Sequence, residues 1–100
     1  MFDADEYRDR SARAWDDAAP GWGVHAAEMQ SSAMPVSVWM VEAIAPQPGQ
    51  TIVELAAGAG ETGFLAVEQA QPGGRLLSTD GSEEMLAVGR ARAEALGVAD

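Results

Sequence analysis

The sequence predicts an α/β fold in which helices alternate with parallel strands, and three observations lead there. Thr51-Ile52-Val53-Glu54-Leu55 and Arg75-Leu76-Leu77-Ser78-Thr79 are apolar runs of strand length. Between them, Ala56-Ala57-Gly58-Ala59-Gly60-Glu61-Thr62-Gly63 is a small-residue turn that opens a helix over about residues 62–70. A further helix, over about residues 82–96, begins directly after Asp80. The order is strand, glycine turn, helix, strand, acid.

The elements follow in turn. Residues 1–19 are polar and of mixed charge, a plausible helix carrying Tyr7 and Trp15 among Arg8, Arg10, Arg13, Asp16 and Asp17. Pro20-Gly21-Trp22-Gly23 is expected to interrupt it, so Trp15 and Trp22 should not form one helical stripe. A helix over 35–45 follows, with Pro35 suited to its first position. Val36, Trp39, Met40, Ala43 and Ile44 recur at helical spacing, and this stripe is expected to face the core. Pro46-Gln47-Pro48-Gly49 turns the chain into the first strand, and Pro72-Gly73-Gly74 into the second. Ser82 suits the N-cap of the last helix, Glu83 and Glu84 its first turn, Arg90 and Arg92 its later turns, and Gly97 its end. Met85, Gly89, Ala93 and Leu96 share one face of it, and residues 98–100 read as the lead-in to a third strand.

Composition narrows the function classes. The formal net charge of −10 argues against a nucleic-acid partner, which would call for clustered cations. All basic residues are arginine, so neither a Schiff-base lysine nor a P-loop lysine is available in this sequence. With no cysteine and a single histidine, His25, a metal site is not expected, and His25 reads as a solvated loop residue. No window approaches the roughly eighteen unbroken apolar residues of a membrane span. The amino terminus lacks the layout of a signal peptide. A reducing cytoplasm is the expected compartment, and the alanine-rich composition suits a G+C-rich bacterial genome.

The site is read from the glycine turn and the acids around it. Glycines let the backbone turn sharply and approach a ligand with no Cβ in the way. An acid about twenty residues beyond the turn, here Asp80, can accept both ribose hydroxyls of an adenosine cofactor. Gly58, Gly60 and Gly63 alone would also match nicotinamide and flavin folds. A dinucleotide, however, rests its pyrophosphate at the first helix entrance. Here Glu61 occupies that entrance and Glu54 lies just upstream. Two carboxylates oppose a diphosphate and suit a cofactor tail bearing an ammonium and a sulfonium, as in S-adenosylmethionine.

At these residues the chain resembles the class I methyltransferases. Their first motif, acid-x-Gly-x-Gly-x-Gly, is matched by Glu54-Leu55-Ala56-Ala57-Gly58-Ala59-Gly60, with Ala56 in place of the first glycine. Alanine is still small, so the exchange is expected to be mild. Ser78-Thr79-Asp80-Gly81-Ser82-Glu83-Glu84-Met85-Leu86 is similar to the D-x-S-x-x-M-L opening seen in relatives of the ubiquinone and menaquinone enzymes. The resemblance covers roughly residues 36–98. It implies a Rossmann-like class I methyltransferase fold, truncated after the first two βα units and preceded by N-terminal helices. Residues 1–34 would be a helical lid, and 35–100 the N-terminal part of the cofactor-binding domain. S-adenosylmethionine would be held by Glu54, Ala56, Gly58, Ala59, Gly60, Asp80 and Gly81. Glu54 would engage its ammonium, the Gly58–Gly60 backbone its methionine portion and Asp80 its ribose. The partner would be a small-molecule methyl acceptor, built against by segments this sequence lacks.

Plainer roles stand beside each assignment. Glu61 could simply complement a helix dipole, Glu54 could be a solvated strand-end acid, and Asp80 with Ser82 could form only a turn and cap. The aromatic residues of 1–34 read first as packing. The expected seven-stranded sheet exceeds what two strands provide, so the chain is expected to be the N-terminal part of a longer protein or a truncated reading frame. Alone it is expected to self-associate through its strand edges or to be partly molten. The rival functions are a non-catalytic relic or interaction module, and an NAD-binding oxidoreductase fragment.

Overall fold

The computed structural model describes residues 1–97. Its elements are α1 (Ala4–Val24), α2 (Ala26–Ile44), β1 (Thr51–Glu54), α3 (Glu61–Gln69), β2 (Arg75–Ser78) and α4 (Glu83–Ala95). The expected lead-in to a third strand falls on residues 98–100, outside the described residues.

β1 and β2 pair in parallel, Thr51 opposite Arg75, Ile52 opposite Leu76, Val53 opposite Leu77 and Glu54 opposite Ser78. α3 is the crossover between them, as parallel pairing requires. Burial alternates along both strands. Ile52, Glu54, Leu76 and Ser78 are half-buried, whereas Val53 and Leu77 stay 58% and 56% exposed on the opposite face. α3 closes tightly onto the sheet because Gly63 has no side chain. A Cβ there would collide with the Glu54 carboxylate and stand 2.9 Å from Leu76 Cδ2. Gly74, leading into β2, is equally tight, its missing Cβ lying 2.5 Å from the carbonyl oxygen of Ala70.

Two helix expectations are corrected. α1 does not stop at Pro20 but runs through it to Val24. A proline removes one N–H and crowds the preceding turn, at about 3 kcal/mol; here packing on α4 overrides that local preference. Ala19 is buried, and Gly23 approaches α4 so closely that a Cβ would stand 3.3 Å from Val88. At its start, Asp3 caps α1, accepting from the N–H groups of Asp5 and Glu6 at 2.9 and 3.0 Å. α2 starts at Ala26, so Pro35 lies in its interior and not at its first position. Residues 26–30 are good helix formers, which carries the helix back to His25. His25 joins the two helices: its N–H closes α1 on Gly21 O, and its carbonyl accepts from Met29, both at 3.0 Å. α2 therefore crosses position 35 without a break.

The apolar stripe of α2 is also corrected. Val36, Trp39, Met40 and Ile44 are exposed, Trp39 by 69%, and α2 instead buries Ser37 and Val41. The Ser37 hydroxyl meets the Thr62 hydroxyl of α3 at 2.8 Å, which fixes that smaller face inward. Periodicity marks an apolar face; it does not say what covers it. Among the described residues nothing does.

Glycine contacts separate two substitutions that look alike on paper. Gly74→Ala must displace the Ala70 backbone that closes α3 and is expected to lose about 2 kcal/mol. Gly21→Ala meets no atom within 4 Å in a helix interior and is expected to gain about 0.5–1 kcal/mol. Urea unfolding of both variants checks the sign of each change; equal effects would contradict the packing described.

Candidate functional site

The site is built where the strands end. From Glu54 the chain turns back through Ala56-Ala57-Gly58-Ala59-Gly60 into α3. The turn is pinned to the end of β2 by backbone bonds: Thr79 N–H donates to Glu54 O at 2.9 Å, and Ala57 N–H to Thr79 O at 2.8 Å. The Thr79 hydroxyl adds a bond to Glu54 O at 2.7 Å. Ala56, Gly58 and Gly60 all take positive φ, at 53°, 56° and 93°. Glycine adopts that region freely, and alanine does so at a penalty of about 1–2 kcal/mol. The alanine at position 56 is thus not mild for its size; it stores backbone strain.

Asp80 follows β2, and both its oxygens are engaged. Gly58 N–H donates to Oδ2 at 2.8 Å and Ser82 N–H to Oδ1 at 2.9 Å. Each carboxylate oxygen has a further lone pair, so the group can still accept from a ligand. Ser82 is fully enclosed; its hydroxyl accepts from Met85 N–H at 3.1 Å, capping α4, and donates to the Asp16 carboxylate on α1. α4 comes close because Gly89 faces the turn, where a Cβ would stand 3.2 Å from Gly58 O.

These elements enclose a cavity of about 450 Å³, within the usual range for small-molecule sites. The turn contributes Ala56, Ala57, Gly58 and Ala59, the end of β2 contributes Asp80 and Gly81, and α4 contributes Met85. One face of α1 closes the other side with Arg8, Ser11, Ala12, Trp15 and Trp22. The sequence singled out Ala56, Gly58, Ala59, Asp80 and Gly81, and the fold brings them together. Glu54 and Gly60 do not line the cavity. Gly60 lies beneath it, packed so that a Cβ would stand 2.7 Å from the Phe64 ring.

The sequence points to residues 1–34 as a lid but reads their aromatic residues first as packing, for a physical reason. With α1 continuous through Pro20, Trp15 and Trp22 do share a helix face, their rings 6.2 Å apart and tilted by 44°. The spacing of seven was the signal, masked by the proline. His25 is exposed, faces Glu28 at 3.6 Å and is not part of the cavity. Among the described residues no cluster of three or more His, Cys, Asp or Glu could hold a metal.

Electrostatics alter the reading of the two motif acids. Glu61 lines the cavity, yet Arg92 of α4 meets it at 2.7 Å, with both side chains mostly buried. The same guanidinium nitrogen donates to Ala59 O at 2.8 Å. Glu61 therefore does not stand as a free charge against a diphosphate. Burial pushes the Glu54 carboxyl above its ordinary range; the nearby Gly63 N–H opposes the rise and the Glu61 charge adds to it. Its Oε1 is buried with no hydrogen-bond partner.

The residues present fit a cofactor with a positively charged tail. An orphaned carboxylate oxygen lies under the turn and Asp80 lies in the cavity, while the Arg8 guanidinium on its wall is paired with Asp5. Residues 36–100 match the model of the ubiE/COQ5 methyltransferase family. The chain is similar to the ubiquinone/menaquinone biosynthesis C-methyltransferase UbiE of Cereibacter sphaeroides, 39% identical over 61 residues, which are 61% of this chain and 24% of that protein. It is 41% identical over 56 residues to the enzyme of the same name from Paracoccus denitrificans, covering 56% of this chain and 22% of that one. The chain thus spans about a quarter of the length of the curated relatives it matches. No solved structure gives a significant match.

Two stability measurements probe the site without a ligand. Ala56→Gly relieves the strained φ but gives back about 0.5–1 kcal/mol of chain entropy. A net gain of about 0.5–1 kcal/mol is expected in urea unfolding, and a loss would refute the strain. For Glu54 the folded carboxyl titrates above its unfolded value of 4.5. The native state then binds more protons than the unfolded one, so stability falls as pH rises through that window and stays lower at neutral pH. Glu54→Gln should be more stable than wild type near neutral pH and lose this part of the slope. Urea midpoints across that pH range read both effects; parallel curves for the two proteins would contradict the burial described.

Proposed function

This chain belongs to the ubiE/COQ5 methyltransferase family, and on that premise we propose that it forms the cofactor-binding half of an S-adenosylmethionine-dependent methyltransferase. The observation that carries the reading is Asp80, placed at the end of β2 in the family-matched region with its carboxylate on the Gly58 turn and in the cavity. In this reading Asp80 accepts the ribose hydroxyls, while Ala56, Gly58, Ala59 and Gly60 shape the turn around the methionine portion. Gly81 leaves room beside the ribose, since no atom lies within 4 Å of where its Cβ would be. Glu54, beneath the turn and outside the cavity lining, engages the cofactor's ammonium directly or through water. Residues 1–34 serve as a lid, which the α1 wall of the cavity supports.

When bound, the cofactor supplies an electrophilic methyl group for a small-molecule acceptor. The chain's own part is to hold that group in place, and holding reactants in line can supply much of the rate. The acceptor lies beyond what these residues specify. No helix among the described residues is long and apolar enough to cross a membrane.

Calorimetric titration with S-adenosylmethionine and, separately, with NAD tests the reading. Binding of the first alone is expected; binding of NAD alone would replace it with the oxidoreductase. Asp80→Ala removes two charge-assisted bonds to ribose, each worth about 1.5–3 kcal/mol. Rehydration recovers part of that, so binding should weaken by about 2–3 kcal/mol, roughly 30- to 150-fold. Asp80→Asn should fall between alanine and wild type. Glu61→Ala should weaken binding by less than about 1 kcal/mol, its charge being spent on Arg92. Because Asp80 also holds the Gly58 and Ser82 N–H groups, circular dichroism of each variant must first match wild type. Normal binding by Asp80→Ala with loss by Glu61→Ala would move the ribose acid to Glu61.

A further inference from the structure

The cavity has an aromatic wall that the motif residues leave unused. Trp15 is 48% exposed although it lines the cavity, and Trp22 supports it from the next turns of the same helix face. Among the described residues the arginine–aromatic pairs are Arg10 with Tyr7 and Arg92 with Phe64. Neither involves Trp15. A half-exposed indole in a cavity that Asp80 and Glu61 also line is suited to an organic cation, which the ring quadrupole attracts, tryptophan most strongly.

Position selects which cation. Asp16, the next residue along α1, accepts from the Ser82 hydroxyl, and Ser82 N–H in turn donates to Asp80. The stretch of α1 that carries Trp15 is thereby fastened to the segment that carries Asp80. If Asp80 holds the ribose, a single carbon separates that ring from the cofactor's sulfur. The ammonium would lie farther from the ribose, at the end of the methionine tail. We propose that Trp15, backed by Trp22, recognises the sulfonium of S-adenosylmethionine and so distinguishes cofactor from product. Methyl transfer breaks the carbon–sulfur bond, its electron pair stays on sulfur, and the methyl bonds to the acceptor. The neutral thioether that remains has no charge for the indole to hold, which favours product release.

This inference rests on the cofactor reading, and its test keeps the two apart. The protein expressed from its complete reading frame is titrated calorimetrically with S-adenosylmethionine, S-adenosylhomocysteine and adenosine, as wild type, Trp15→Phe and Trp15→Leu. Trp15→Leu is expected to weaken S-adenosylmethionine by roughly 3- to 30-fold and leave S-adenosylhomocysteine nearly unchanged. Trp15→Phe, which keeps an aromatic face, should show a smaller loss of the same selectivity. Retained S-adenosylhomocysteine binding reports an intact site; if the leucine variant fails to fold, the phenylalanine variant decides. Equal weakening of all three ligands would mean that Trp15 stacks on adenine, and no weakening would place it on the acceptor; either result overturns the inference alone. If wild type binds neither cofactor nor product, the cofactor reading itself falls.

Discussion

Much of this site hangs on one carboxylate. Asp80 takes a hydrogen bond from Gly58 on one oxygen and from Ser82 on the other, so a single side chain fixes the turn after β1 to the start of α4. Ser82 passes the connection on, capping α4 with its hydroxyl and donating to Asp16 on α1. Three segments distant in sequence are registered through these few bonds. Charge-assisted bonds of this kind are about twice as strong as neutral ones, and here they are partly buried. The plain reading of Asp80 and Ser82 as a turn and cap is therefore true as geometry. It does not compete with a ligand role, because Asp80 lines the cavity and each of its oxygens keeps a further lone pair.

The parts of the fold that were legible are those decided by local chemistry. The strands 51–54 and 75–78, α3 and α4 fall within a residue of their expected bounds, because β-branched runs, glycine turns and a serine cap act on their own neighbourhood. The illegible parts depend on distant partners. Nothing near Pro20 announces that Val88 will hold the next turn of α1 in place. Nothing near Trp39 says that Ser37 and Val41 will be the face turned inward. Glu61 was read as a bare charge because its neutralising partner, Arg92, lies a whole βα unit downstream.

That pairing changes which acid bears on cofactor choice. A carboxylate at the helix entrance looks like a guard against a diphosphate, but with Arg92 beside it the net local charge is close to zero. The asymmetry passes to Glu54 and Asp80. Glu54 is held against Gly63, the third glycine of the turn, whose missing side chain lets the carboxylate sit under α3. An unpartnered oxygen in that position costs free energy, roughly 1–3 kcal/mol for a buried polar group. A cationic ligand nearby would offset part of it.

The core that supports this polar site is thin. Among the described residues its buried apolar members are mostly alanine, with only Val41, Val67 and Met85 larger, while Trp39, Ile44, Leu55 and Leu77 remain exposed. Apolar burial contributes about 25 cal/mol for each Å² removed from water, and alanine has little to remove. Site geometry and global stability therefore rest on different groups here. Hydrogen bonds among Glu54, Ala57, Gly58, Thr79, Asp80 and Ser82 set the first, whereas much of the apolar area that could supply the second faces outward on α2 and on the open side of the sheet. The polar frame joins residues far apart in sequence, but most of them fall in two motifs that carry their own local signal, which is why it could be read from the sequence. The apolar faces are long-range, and their outward direction became visible only once α2 and α3 had been docked.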